Sequence, residues 1–508
     1  MIDSFPENKK EELHSLIESD LSKADHADFY KRVYHRCCEN VIGYITLPVG
    51  ITNPILINKE YLQIPLSTSE GALIASINRG GKAVSLSGGI TTVVKQMGMT
   101  RAPIIELPNL ECAAKCCNWI EQESSQKYFG DIFEKSSTHL SLKHVRPFQQ
   151  GRRLFLRFSA TTGEAMGMNM ITKAVDASLA SLKRDHFPEM TVVSVSGNMC
   201  TDKKASAVNW IEGRGRNVVT EAVITRKILS EVMHCSASDV DRLNKAKNLI
   251  GSAMSGSVGG YNCHASNIVA ALFLATGQDA AQVVESSFCL TDTECLDDGS
   301  LRISCTLPSV EVGVVGGGTG LPSQHANLAL LGCIPLKHND NREIEGKIVE
   351  DTNKKEEDLE SKTPFQVFSS SHSDVMGEEK SSSKTLTHAQ KGTFSDRLAS
   401  ILGAAVLCGE LSLLCSLATG SLMTAHTKLN RGLESPSESL SPSPSALRSP
   451  SIATMEDCKK FEINDRFNNF SEKEKMKTRI EAIEKEEKAL EEEKKLLKYN
   501  LDIMQKEG

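Results

Sequence analysis

Met190–Trp210 reads MTVVSVSGNMCTDKKASAVNW. A β-branched run breaks at a Ser-Gly-Asn turn, Ser196–Asn198, and the polar continuation carries Asp202, Lys203 and Lys204. The run has strand composition, and the turn residues end it. The same texture recurs outward in both directions. VIGYITLPVG (41–50) and RLFLRFSA (153–160) are short β-branched runs that alternate with longer helical patterns, which is the mark of an α/β chain. Two adjacent lysines beside an acid can clamp an anion or stabilise an oxyanion, because an ammonium in a dry pocket acts far more strongly than in water. A solvated surface triplet is the plain alternative.

The chain has 508 residues, with 58 Lys and Arg against 65 Asp and Glu for a net charge of −7, which argues against a nucleic-acid partner. The 15 cysteines are odd in number and show no paired CxxC spacing, so they read as reduced thiols rather than a metal site or a disulfide framework. No apolar leader opens the chain, and the most apolar stretch, 398–425, is interrupted by Glu410, which fits a buried core helix better than a membrane segment.

Three further stretches need a chemical reading. Ser69-Glu70-Gly71 precedes the helical pattern ALIASINRGGKAV and sets Glu70 near a helix N-terminus, where a carboxylate is favoured and usually acts as a cap. GSAMSGSVGGYNCHASN (251–267) reads as a helix of small residues, with His264 and Asn267 on one face, continuing towards Asp279. A lone Asp in that apolar stretch needs a cationic partner, for which Lys203 and Lys247 are candidates. GEAMGMNM (163–170) and VGVVGGGTGL (312–321) are glycine-rich turns suited to a phosphate or amide, but neither fits the G-x-G-x-x-G dinucleotide fingerprint.

Together these stretches resemble the 3-hydroxy-3-methylglutaryl-coenzyme A (HMG-CoA) reductase family, in its eukaryotic NADPH-using class. The blocks that carry the resemblance are ENVIGYITLPVG, TSEGALIASINRGGKAV, GMTRAP, TTGEAMGMNM, VSGNMCTDKKASAVNWIEGRG, GSAMSGSVGGYNCHASNIVAALFLATGQDAAQ, ISCTLPSVEVGVVGGGT and CGELSLLCSLATGSLMTAH, running from about Tyr30 to Arg431. The resemblance implies a four-electron reduction of the HMG-CoA thioester to mevalonate and coenzyme A by two NADPH, and an α/β fold. That fold has a large domain around a long central helix and a small inserted ferredoxin-like domain that binds NADPH.

It also implies a catalytic set of Glu70, Lys203, Asp279 and His426, with Asp279 buried between Lys203 and Glu70. Arg101, Ser196, Asp202, Lys204, Lys247 and Asn267 would surround the hydroxymethylglutaryl group. Ser76, Asn78, Arg79 and Lys82 would contact coenzyme A. Ser137, Thr138, Glu164, Ala165, Met166, Asn169, Asn430 and Arg431 would contact NADPH. No metal is implied. Several positions depart from the family pattern: Thr138 stands where an arginine is usual, Glu164 for Asp, Lys82 for Arg, and Gly432 for a regulatory serine. The Thr138 change bears on the choice between NADPH and NADH.

The expected organisation is an N-terminal helical segment (1–29), the large domain (30–102, 195–338 and a last helix, 392–432), and the small domain (103–194). A charged, Ser-rich insertion (339–391), a Ser/Pro-rich linker (433–470) and a coiled coil (471–508) complete it. Ser435, Ser441, Ser443 and Ser449 each precede a proline, and Met476, Ile480, Ile483, Leu490, Leu497, Leu501 and Met504 repeat at heptad spacing. A coiled-coil partner through 471–505 is therefore expected, as is a homodimer or homotetramer with shared sites. Family members are anchored in the endoplasmic reticulum; this chain reads as a cytosolic catalytic region without a membrane segment. A non-catalytic, coenzyme A-binding scaffold is the alternative.

Overall fold

The structure is a computed structural model and describes residues 33–34, 37–41, 44–334 and 393–420. The chain divides into two compact units, Met1–Leu433 and Glu434–Gly508, and every described residue lies in the first. The N-terminal segment, the 339–391 insertion, the linker, the coiled coil, and His426, Asn430 and Arg431 lie outside the described residues.

Four short strands open the described fold: β1 (Val49–Ile51), β2 (Ile55–Ile57), β3 (Glu60–Leu62) and β4 (Pro65–Ser67), paired β1 with β4 and β2 with β3. Helix α1 (Leu73–Leu86) follows, and then the long strand β5 (Thr91–Arg101). The chain continues through β6 (Ile104–Glu106), α2 (Leu110–Ile120), α3 (Glu123–Ser136), β7 (Ser141–Gln150), β8 (Arg153–Thr161), α4 (Met168–Asp185) and β9 (Thr191–Ser194). Within this stretch the strands lie in the order β7-β8-β6-β9, all antiparallel. Helices α2, α3 and α4 supply most of the rest of a core of their own, in which Phe133 stacks on Phe158 at 5.7 Å and Phe129 meets Phe158 edge-on at 5.4 Å.

The return begins with α5 (Ala207–Glu212) and β10 (Gly215–Ile224), and runs on through α6 (Ala237–Asn244), β11 (Gly260–Tyr261), α7 (Ala265–Thr276), α8 (Val283–Ser286), β12 (Cys289–Cys295), β13 (Leu301–Val310) and α9 (Pro322–Leu330). One nine-stranded sheet, β11-β12-β13-β10-β5-β8-β6-β9 with β7 on β8, spans both cores. Strand β5 is the hinge of this arrangement: Thr91–Gly98 pairs with β10 and Met99–Arg101 with β8.

The last described helix, α10 (Thr393–Ala418), runs through the larger core and buries 18 of its residues. It is the one helix among the described residues apolar and long enough to cross a membrane, yet 94% of its most apolar window is enclosed by protein. Its one buried acid, Glu410, accepts the backbone N–H groups of Cys263 (2.7 Å) and His264 (2.8 Å) and the Thr291 hydroxyl (2.9 Å). A carboxylate there faces the start of α7 and is satisfied by the two backbone N–H groups just ahead of that helix and by a hydroxyl from β12.

The 251–282 stretch is not one helix. A π-helical turn, Lys245–Gly251, passes through three α-helical residues into an irregular segment, and α7 begins only at Ala265. Gly259, at φ +76°, sits against the Phe288 ring where a Cβ would collide, so the small residues here serve a turn. At the far end Gly277, in the left-handed region at φ +71°, stops α7 and places Asp279 beyond it.

Helices α1 and α10 cross where Gly80 lies against the Cys408 backbone, and a Cβ at Gly80 would strike that carbonyl. Backbone cannot yield as a flexible side chain can. Gly80→Ala is expected to lower stability by about 1–3 kcal/mol, read as a fall in the urea midpoint at unchanged m; an unchanged midpoint would contradict this crossing.

Candidate active site

After β9 the chain makes a compact loop in which three non-glycine residues, Asn198, Thr201 and Lys203, hold φ near +60° (63°, 60° and 57°). Such backbone is costly and persists only where neighbours fix it. The Thr100 hydroxyl donates to the Cys200 carbonyl at 2.8 Å, and the Asn209 side-chain amide accepts from the Thr201 hydroxyl and donates to the Thr201 carbonyl. The Lys203 N–H donates to Glu285 Oε1 at 2.7 Å.

Held this way, Lys203 Nζ lies 2.8 Å from Asp279 Oδ2. Its proton affinity is raised, chiefly by the hydrogen bond to Asp279 and against partial burial, with the charges of Asp279, Asp202 and Glu285 adding to it. Lys203 is therefore an ammonium at neutral pH. Asp279 begins a single 3-10 turn and also accepts from the Ala281 N–H at 3.1 Å.

Two expectations change here. Asp279 is not buried, since its side chain is 34% exposed, and no contact among the described residues joins it to Glu70. The reason for the second is local. Glu70 stands exposed on the bend after β4, where its N–H binds Thr68 Oγ1 at 2.9 Å, and it lies short of the first turn of α1, which carries no acid.

Behind Lys203 lies a buried charge cluster that sequence reading missed. The fully buried Arg214 guanidinium meets Asp202 and Glu285 at 3.1 Å each and binds Glu311 at 2.5 Å; Glu285 and Glu311 are themselves fully buried. Its remaining donors reach Thr100 Oγ1 (2.9 Å) and Met168 Sδ (2.9 Å). The three carboxylates alone have a metal-like spacing, with oxygens within 4.8 Å of one another, but the guanidinium occupies their midst. Burial pushes both Glu285 and Glu311 above the ordinary carboxyl range, Glu311 strongly, and Arg214 only partly offsets it. The two therefore titrate as a coupled pair that holds its protons to higher pH than free glutamates do. Arg214 and Glu311 could have been suspected as charges within strand-like runs; Glu285 left no signal.

A cavity of about 730 Å³ opens beside Asp279. Ala165–Met170 line one wall, Gly277–Asp279, Gln282 and Glu311 another, and the glycine-rich Val315–Thr319 a third. Gly313 allows this closeness, because a Cβ there would collide with the Met166 backbone. Of the expected cofactor contacts, Ala165, Met166 and Asn169 line the cavity. Glu164 instead turns to α10, accepting from the N–H groups of Ser395 (2.8 Å) and Phe394 (3.3 Å). Ser137 rests 3.9 Å from Met170 Sδ, and Thr138 is exposed on the turn after α3.

The expected substrate residues fall in several places. Arg101 Nε is held by Thr172 Oγ1 at 3.0 Å, Ser196 lies 3.5 Å from the Cys200 sulfur, and Lys204 is exposed. Asp202 accepts from Gln282 Nε2 at 3.2 Å, another contact with the Asp279 segment. Lys247, in the π-helical turn, binds Asn248 Oδ1 at 3.2 Å, so Lys203 is the cation that meets Asp279; Asn267 sits in the first turn of α7. Of the coenzyme A set, Ser76 and Arg79 bind Ser412 of α10 at 2.9 and 3.2 Å, Asn78 accepts from the Asn53 N–H at 2.7 Å, and Lys82 is exposed on α1.

With this geometry in place, the family model described as hydroxymethylglutaryl-coenzyme A reductase matches residues 6–345 and 374–431. The chain belongs to that family. It is 45% identical over 413 residues to 3-hydroxy-3-methylglutaryl-coenzyme A reductase 2 of Dictyostelium discoideum, covering 81% of this chain and 69% of that protein. It is 41% identical over 440 residues to reductase 2 of Saccharomyces cerevisiae, covering 86% of this chain but 37% of that longer protein. Among solved structures, the class II reductase of Streptococcus pneumoniae bound to NADPH in open conformations shares the fold, with a TM-score of 0.52 at 17% identity over 82% of this chain and 98% of that one.

The carboxyl pair gives stability a definite pH dependence. Below the ordinary Glu value of 4.5 folded and unfolded chains hold these protons equally; above it the unfolded chain releases them first, so the pair's contribution falls as pH rises through its own higher range. In Glu311→Gln the decline of unfolding free energy as pH rises above 4.5 should be shallower than in the parent. Urea titrations across that range with identical slopes would contradict it.

Proposed function

We infer that the chain is an HMG-CoA reductase, reducing the HMG-CoA thioester to mevalonate and coenzyme A with two NADPH and two protons consumed. The single observation that carries this reading is the Lys203–Asp279 ion pair at the edge of the 730 Å³ cavity, in a chain of this family. A stable ammonium there places a positive charge where a thioester carbonyl would become an oxyanion, and Asp279 keeps the lysine aimed and protonated. NADPH supplies the hydride when bound. The cavity suits it: α4 starts at Met168 with no side-chain cap and no acid in its first turn, which leaves its N–H groups for an anion, and Gly316 and Gly317 present open backbone.

When the first hydride arrives, Lys203 holds the developing negative charge on oxygen. The carbon–sulfur bond then breaks, and His426 is assigned the proton transfer to the departing thiolate, a task suited to an imidazole near neutral pH. Glu70 is assigned the proton delivered during the second reduction. Its exposure in one chain fits a site completed by a second copy. A homodimer or homotetramer is supported by Ile45, Leu47, Val49 and Ile51, an alternating row of exposed apolar side chains (84%, 42%, 52% and 45%) that a second copy would cover. The β7-β8-β6-β9 order with α2–α4 packed on it supports the ferredoxin-like reading of the small domain. Site, family and similar reductases all favour the enzyme over the scaffold, and a cytosolic catalytic region is the reading of location that fits them.

Purified protein should oxidise two NADPH per HMG-CoA consumed and release one thiol. Lys203→Ala should lower kcat by at least about a hundredfold, the scale of losing one preorganised oxyanion donor, with the fold intact by circular dichroism. Undiminished turnover in that variant would remove Lys203 from the chemistry, and turnover with NADH alone would overturn the cofactor reading.

A further inference from the structure

Asp279, Gln282 and Glu285 lie three residues apart on one short helical segment, and each meets the Lys203 loop. Asp279 pairs with Lys203 Nζ at 2.8 Å, Gln282 donates to Asp202 at 3.2 Å, and Glu285 accepts the Lys203 N–H at 2.7 Å. Asp279 and Lys203 already belong to the proposed chemistry; Glu285 does not touch the cavity and has no part in it. A buried acid costs stability unless something requires it. Here it faces Arg214, Glu311 and Asp202 and leaves one carboxyl oxygen, Oε2, without a hydrogen-bond partner.

We propose that Glu285 is a positioning residue for the reaction: anchored by Arg214, it binds the Lys203 backbone N–H, holds that residue in its left-handed conformation and so aims the ammonium at Asp279. The segment then works as a two-point clamp. One end holds the charge of Lys203 and the other holds its main chain, so the distance from backbone to ammonium is fixed from both sides. Lys203 at φ +57° would otherwise relax towards the ordinary right-handed or extended regions, which are favoured for any residue with a Cβ. Relaxation swings a long side chain through several ångströms, and misplacement of about 1 Å in such a site costs on the order of a hundredfold in rate.

The inference rests on the reductase reading, and its test separates the two. Glu285→Met fills the same volume without an acceptor for the Lys203 N–H, Glu285→Ala removes volume and acceptor together, and Glu285→Gln keeps an acceptor oxygen in place. With the full chain, HMG-CoA and NADPH, the Met variant should lose at least tenfold in kcat while its KM for HMG-CoA moves by less than about threefold, and the Gln variant should recover most of that loss. If the Met variant does not fold, the Ala variant takes its place in the comparison. Amide hydrogen exchange at Lys203 should be fast in the folded Met or Ala variant and slow in the parent and the Gln variant, a readout that needs no turnover. A parent without turnover would defeat the reductase reading while leaving the exchange result to judge the clamp. Unchanged kcat in the Met variant, a Gln variant as impaired as Met, or equal exchange at Lys203 in all of them would overturn the positioning role.

Discussion

The fully buried guanidinium of Arg214 is the point on which the site's geometry depends. It draws Asp202 from the loop after β9, Glu285 from α8, Glu311 from the end of β13, Thr100 from β5 and Met168 from the start of α4 to a single centre. Those elements come from both cores. A cation without water must satisfy its donors from protein, and the carboxylates that meet it among the described residues are the ones that also hold the lysine loop and wall the cavity. Removing one partner would leave an uncompensated charge, so the pieces are bound to move together. The cluster also shows why area alone does not explain this fold: apolar packing builds the two cores, and a desolvated ionic network fixes how their edges meet.

The division of labour between strand and helix follows from the same constraint. Strand β5 belongs to both halves of the sheet, and the loop after β9 returns the chain from the small core to the large one. The cavity lies where these passages converge with the glycine-rich segments, whose missing side chains let Gly313 approach Met166 and Gly277 approach Gly318. Helix α10 ties the arrangement from the far side, through Glu164 at its start, through Arg79 bound to Ser412, and through Glu410 at the head of α7.

Much of this was legible in the sequence, and the parts that were not share a physical reason. The β-branched runs around Val192 and Arg153–Ala160 became strands because period and composition act locally, and the Asp-Lys-Lys loop announced itself as a charged interruption after one of them. The stretch from Gly251 to Asp279 misled for the opposite reason. Its glycines and serines fit a helix interface or a set of turns equally well, and only the Phe288 ring, distant in sequence, decides for turns at Gly259. Asp279 was correctly expected to need a cation, but its exposure depends on the cavity beside it, which no local pattern encodes. Glu285 could not have been found at all, because its role is set by Lys203, 82 positions away, and by Arg214.

The most direct test of the account is a crystal structure of the full chain with HMG-CoA and oxidised cofactor. The thioester carbonyl oxygen is predicted to lie within hydrogen-bond reach of Lys203 Nζ while Lys203 keeps its positive φ and its N–H stays on Glu285, with the nicotinamide in the cavity walled by Met166, Asn169 and Gln282. A carbonyl bound away from Lys203, or a lysine loop that leaves Glu285 when substrate binds, would contradict it.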